Sequence, residues 1–307
     1  MIAIDSVLLV AFGGPTAPHE IRPFLEIVTR GRRSPPERIE EVAHHYEQMP
    51  GGRSPLNELT ERQAAGLRRT LEADGASRPV FVGMRNWHPF LRETLAAMAA
   101  GGHRHALGVI LSPFRSEASW DRYKEDVAAA RAAVPGAPQV SFAPAWGLHP
   151  GFVAAAAESV QAAFDAVPAG ERGDTPLIFT AHSIPRAMAD ASPYVDDFTA
   201  AARAVADAAG HARHTLAYQS RSGGPRDPWL EPDIAHVIEQ LAGKGVRHMV
   251  VMPLGFVCDH VEVLYDLDRE AGALAARSGL VLHRAAAVND HPRFVAMLAD
   301  LVRRTCA

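Results

Sequence analysis

Short apolar runs alternate with segments of helical periodicity along nearly the whole chain. Runs at 7–12, 79–84, 107–111, 139–142, 177–181, 215–218, 248–252 and 280–284 predict strands. Amphipathic spacing at 36–48, 56–73, 89–100, 118–133, 150–166, 195–209, 232–243 and 261–276 predicts helices between them. Strand followed by helix, repeated this often, is the pattern of parallel βαβ units and predicts an α/β fold. Pro and Gly fall mostly between these elements, as chain punctuation should. The two halves also echo each other: VLLVAFGGP (7–15) and LIFTAHSIP (177–185) are each a buried strand running into a proline-ended loop of small residues. Each half offers roughly four strands, with a boundary near 144–150. The expectation is two Rossmann-like, flavodoxin-like lobes, 1–147 and 148–307, each a parallel sheet of about four strands flanked by helices. Ligands in such sheets collect at the carboxyl ends of strands, which points to the loops 13–16, 85–88, 112–119, 182–185, 219–229 and 253–262.

Composition narrows the chemistry. A length of 307 residues suits two domains, each with its own core. With 48% hydrophobic and 21% charged residues, a largely disordered chain is excluded. The formal charge of −4 argues against nucleic acid as a partner, since phosphates need a basic face. Two cysteines, Cys258 and Cys306, cannot build a disulfide framework, a four-cysteine zinc site or an iron–sulfur cluster. Fifteen histidines make metal or proton chemistry a live question. No stretch reaches the roughly 18–20 apolar residues of a membrane span, and residues 1–10 lack the basic start and cleavage site of a signal peptide. A cytoplasmic protein, at most peripheral to a membrane, is expected. The dinucleotide and P-loop glycine motifs, the nucleophile elbow and the H-E-x-x-H motif are all absent.

Four constellations carry chemical interest. His182, in TAHSIP, ends an apolar strand; it is either a histidine bonded within a turn or a partly desolvated proton acceptor or metal ligand. PLGFVCDHVEVLYDLDRE (253–270) places Glu262, Asp266 and Glu270 at i, i+4 and i+8. On an ideal α-helix that stripe drifts by about 40° per step, and a π turn would straighten it. Like charges at this spacing repel, so the stripe is either a solvated face or a path used by cations or protons. Oxygen donors with imidazole suit a labile divalent ion better than a permanent zinc. QSRSGGPRDPWLEPD (219–233) forms a stiff loop around Trp229. The first half supplies arginines, including Arg30, Arg32, Arg33, Arg53, Arg85 and Arg115, beside Trp87, Phe114 and Trp120, and these suit a flat ligand bearing carboxylates.

Together these motifs resemble the ferrochelatases, which insert Fe²⁺ into a porphyrin. The resemblance runs through VLLVAFGGP, GGRSPL (51–56), MRNWHPF (84–90), TAHSIP, QSRSGGPRDPWLEPD and PLGFVCDHVEVLYDLD. It implies a chelatase-type pair of lobes around a porphyrin cleft, with His182 and Glu262 as the catalytic, metal-facing pair and Asp266 and Glu270 as an acidic path on a π-containing helix. It further implies porphyrin contacts from Phe12, Arg30, Arg53, Ser54, Arg85, Asn86, Tyr123 and Trp229. Fe²⁺ and the porphyrin are then substrates; no permanently bound cofactor and no cluster are expected, and the protein is expected to act as a monomer. The polar, arginine-rich stretch 29–56 and the absence of a cysteine-bearing extension favour the four-propionate coproporphyrin III over protoporphyrin IX, which stands as the alternative. More distant alternatives are a cobalt or nickel tetrapyrrole chelatase, usually marked by paired histidines where Glu262 stands, and a porphyrin carrier, which needs no acidic path.

Overall fold

The computed structural model describes every residue except 1–2, 32–35, 212, 224–226 and 307. Arg32 and Arg33, and part of the 219–233 loop, therefore lie outside the described residues. Among the described residues eight strands form: β1 (Ser6–Ala11), β2 (Val80–Met84), β3 (His105–Ile110), β4 (Gln139–Phe142), β5 (Leu177–His182), β6 (His214–Gln219), β7 (His248–Met252) and β8 (Val281–Arg284). Every predicted strand is present, with ends shifted by no more than a residue or two.

Each half builds one parallel sheet of four strands. Their orders are β2-β1-β3-β4 and β6-β5-β7-β8, so the same winding is used twice. The echo between VLLVAFGGP and LIFTAHSIP thus marks the first strand of each sheet, which lies inside its sheet in both. In each order the winding reverses between the first and third strands, the switch point where such sheets open a crevice at the carboxyl ends. Leu8, Leu9 and Val10 of β1 and Ile178, Phe179 and Ala181 of β5 are fully buried, as strands covered on both faces require. Helices Leu56–Ala73 and Leu91–Ala100 pack on β2; Pro150–Asp165 packs on β7, and Tyr194–Ala208 and Ile234–Gly243 pack on β6.

The chain divides into two compact units, one of Met1–Leu111, Trp120–Pro144 and Val295–Ala307, the other of Ser112–Ser119 and Ala145–Phe294. Two excursions depart from a single boundary at 147. Segment 112–119 joins the second unit, where Arg115 forms a two-pronged ion pair with Asp197 at 2.7–2.8 Å. Conversely, helix Pro292–Cys306 hands its last turns to the first unit: the methyls of Val295 sit 3.1 Å from where a Cβ on Gly66 would lie. Neither this helix nor Ile21–Val28 is among the elements that the sequence pattern predicts. Pro23 sits in the first turn, whose amides have no intrahelical partner, so the ring does no harm.

Candidate active site

The second unit assembles its site from the carboxyl ends of three adjacent strands. His182 is the last residue of β5 and lies in register with Gln219, the last of β6. The loop after β7 is drawn onto β5 by Gly255, whose amide donates to the Thr180 carbonyl at 3.0 Å. A Cβ on Gly255 would stand 2.7 Å from the Cβ of Ala181, so only glycine permits this approach. The close seating delivers the start of the acidic helix to His182.

There the His182 Nε2 lies 3.7 Å from Glu262 Oε1. The other ring nitrogen, Nδ1, contacts the Ser183 carbonyl, which only accepts, so Nδ1 carries the proton. In the neutral ring Nε2 therefore presents a lone pair to the carboxylate. That juxtaposition calls for a proton or a cation between the two groups. Glu262 Oε2 faces a second imidazole, His260 Nε2, at 3.3 Å, while the buried Nδ1 of His260 has no hydrogen-bond partner among the described residues. Burial pushes the Glu262 carboxyl upward, yet the charge of His182 and the hydrogen bond and charge of His260 outweigh it and hold the group at about 2. Its backbone is fixed as well: Gln219 Nε2 donates to the Glu262 carbonyl at 2.7 Å.

Beyond Glu262 the helix changes its winding. Val261–Val263 is α-helical, Leu264–Ala271 is a π-helix, and Gly272–Arg277 returns to α. The expected wide turn is present and carries Asp266. Ser220, held at the positive φ of 61° just past β6, donates its hydroxyl to Asp266 Oδ2. Burial, reinforced by the charges of Glu262 and Glu270, lifts the Asp266 carboxyl to about 7 against the opposing Ser220 bond and His260 charge. Glu270, one turn further, is exposed. The carboxylates thus run from a part-buried Glu262 outward to solvent.

Two supports were not legible in the sequence. Tyr194, buried at the start of its helix, donates its hydroxyl to the His182 carbonyl at 2.9 Å, and burial raises its pKa and keeps it protonated. The TAHSIP loop is also stitched to the Trp229 segment: Leu230 donates to the Ile184 carbonyl at 3.0 Å and Ser183 Oγ to the Leu230 carbonyl at 2.9 Å. Trp229 lies over Gly223, where a Cβ would fall 1.9 Å from the indole nitrogen.

In the first unit, Phe12 follows β1 with 37% of its surface exposed, and packs edge-on against buried Phe24. Asn86 is tied to it, donating both backbone and side-chain N–H groups to the Phe12 carbonyl at 3.0 and 3.2 Å. Ser54 is buried, its amide bonded to the Pro15 carbonyl, and its Cβ would stand 2.8 Å from one on Gly14. Arg85 and Tyr123 are brought together: the guanidinium lies 4.4 Å from the centre of the buried Tyr123 ring and pairs with Asp126 at 2.6 Å. Arg30 is exposed, and Arg53, also exposed, lies 3.6 Å from Glu58.

Among the described residues, no three His, Cys, Asp or Glu side chains converge as a closed metal cage, and no helix is long and apolar enough to cross a membrane. Comparison with known proteins gives one consistent answer. The ferrochelatase family model matches residues 5–306. A coproporphyrin III ferrochelatase of Nocardia farcinica is 44% identical, covering 98% of this chain and 88% of its own. Another, of Frankia alni, is 46% identical over 98% and 79%, and a ferrochelatase of Rhodopirellula baltica is 42% identical over 97% and 85%. Among solved structures, SirB from Bacillus subtilis with Fe³⁺ superposes with a TM-score of 0.59 at 13% identity, over 99% of this chain and 96% of that one; at this identity it speaks to the fold. The chain belongs to the ferrochelatase family.

Proposed function

We infer that the protein is a ferrochelatase that inserts Fe²⁺ into coproporphyrin III during haem synthesis. One observation carries the reading of the site: the His182 Nε2 faces the Glu262 carboxylate across 3.7 Å, with a second carboxyl, lifted to about 7, behind it. That gap is less than twice a typical metal–ligand bond of about 2.0–2.2 Å, so one ion can touch both groups without movement. Two protein donors leave the remaining positions on iron to the pyrrole nitrogens.

Insertion exchanges two pyrrole N–H protons for one Fe²⁺. As the ion passes from His182 to the pyrrole nitrogens, the freed Nε2 accepts one proton, its ring oriented by the Nδ1 contact to the Ser183 carbonyl and its backbone carbonyl held by the Tyr194 hydroxyl. Glu262, which stays ionised, holds the ion. Asp266, titrating near neutrality, takes up the second proton and passes it toward exposed Glu270. Iron is bound here as a substrate in transit, and the protein works as a monomer in the cytoplasm without a resident cofactor. The exposed guanidiniums of Arg30 and Arg53 serve the propionates, four on coproporphyrin against two on protoporphyrin IX. The names of the Nocardia and Frankia relatives support the same substrate.

An anaerobic assay with Fe²⁺ and catalytic amounts of protein tests this directly. Many turnovers are expected, with a higher kcat/KM for coproporphyrin III than for protoporphyrin IX. His182→Ala should abolish insertion while coproporphyrin still binds. Stoichiometric porphyrin binding without insertion would make the protein a carrier, and a preference for protoporphyrin IX would overturn the substrate.

A further inference from the structure

A π turn is rare and needs outside support, because each widened turn gives up regular i→i+4 bonding. Here the support comes from β8. Arg284, at the end of that strand, reaches two carboxylates at once. Its Nε donates to Asp268 Oδ1, inside the π segment, and its Nη1 donates to Asp259 Oδ1 at 2.8 Å, just ahead of the helix. The guanidinium and Asp259 each keep only 16% of their side-chain surface exposed. Asp259 is gripped from three further directions. The Ala287 amide donates to its Oδ1 at 3.1 Å, Asn289 Nδ2 donates to its Oδ2 at 2.8 Å, and its own amide donates back to Asn289 Oδ1 at 2.8 Å. Asn289 itself sits at a φ of 44°, a conformation asparagine tolerates better than most residues. Asp259 is therefore anchored to the segment that follows β8, and Arg284 extends that anchor to Asp268.

Between these two anchor points lie Glu262 and Asp266. We propose that Arg284 is a positioning residue for metal insertion: by bridging Asp259, ahead of the helix, and Asp268, within the π segment, it clamps the stretch that carries Glu262 and Asp266 and so holds Glu262 toward His182 and Asp266 toward Ser220. Leu267 and Ala271 secure the opposite face of the same segment in the core beside Ile234, Ile238 and Met249. Apolar packing alone leaves that face free to slide along the helix axis; an ion pair with two arms on separate carboxylates does not. A lysine at 284 carries the charge but one compact donor group in place of the rigid fork.

The proposal rests on the ferrochelatase reading, and the experiment separates the two. Iron insertion into coproporphyrin III is measured for the wild type, Arg284→Gln, Arg284→Lys and Asp268→Asn, with porphyrin Kd from fluorescence quenching and the unfolding midpoint alongside. Arg284→Gln should lower kcat by about 10- to 100-fold, the scale of a site displaced by an ångström or so, with porphyrin Kd changed by less than about twofold. Asp268→Asn, which cuts one arm at a more exposed position, should fold and lose activity in the same sense. Arg284→Lys should recover part of the rate, and the Gln/Asn double variant should be little worse than Arg284→Gln. Folded Arg284→Gln and Asp268→Asn proteins with wild-type kcat and KM for Fe²⁺ would overturn the positioning role, even if both melt earlier. Should Arg284→Gln fail to fold, Asp268→Asn decides. A wild type that inserts no iron sinks the ferrochelatase reading instead.

Discussion

At the scale of single residues, the site works by setting neighbours of like type apart. Glu262 and Asp266 are both carboxylates on one helix, yet two imidazoles hold the first ionised while burial and its acidic neighbours lift the second to about 7. This has a consequence for stability. Asp266 binds its proton more tightly folded than unfolded, where its pKa is about 3.8. Its unfavourable contribution is therefore absent at pH below about 4, grows through the interval, and is complete above about 7. Asp266→Asn should stabilise the protein against urea more at pH 8 than at pH 5, while slowing insertion. An equal gain at both pH values would place the carboxyl's titration outside this window. His182, Glu262 and Asp266 could be picked from sequence because each follows a buried strand or repeats along one helix. Tyr194 and Ser220 could not, because their partners are set by how β5 and β6 sit in register and by the 61° φ at Ser220.

Among elements, the decisive one is the connection between β7 and the acidic helix. It must pass against β5, and Gly255 makes that possible. Gly255→Val would drive a side chain into Ala181 and break the bond to Thr180. A loss of about 1–3 kcal/mol in unfolding free energy is expected, as for other overpacked sites. Insertion activity should fall further than stability, since the shift is aimed at the His182–Glu262 gap. Comparing urea midpoints with turnover of the folded variant checks this; a variant with full activity would show that the helix finds its place without the close approach. The strands themselves were legible because runs such as 177–181 and 248–252 are apolar without alternation, and parallel strands covered on both faces look like this. The wide turn was legible only as a need: the i, i+4, i+8 carboxylates ask for it, but the clamp that sustains it lies in β8 and beyond, in residues with no local signature.

For the whole molecule, the repeated winding of the two sheets was visible in the echo of VLLVAFGGP and LIFTAHSIP, but the path of the last helix was not. Val295, Met297, Leu298, Leu301 and Val302 are buried, and residues 295–307 group with the first unit. At about 1.5–3 kcal/mol for each such side chain, before the entropy of ordering it is subtracted, the loss of all five is large beside the roughly 5–15 kcal/mol of net stability of a domain. Residues 1–147 expressed alone should therefore fail to unfold cooperatively, and appending residues 295–307 through a flexible linker should restore a sharp transition by circular dichroism. A cooperative transition in the bare fragment would mean that the final turns add little. If they matter as the burial indicates, the order of synthesis is inverted in the finished protein. Domains generally fold as they leave the ribosome, amino-terminal first. Here the half of the chain that emerges first must wait, its core open, until residues 295–307 have been translated. The second unit, whose final segment ends at Phe294, has all of its residues in hand before the first. A nascent chain stalled before residue 295 is thus the stage at which chaperone contact with the first unit would matter most.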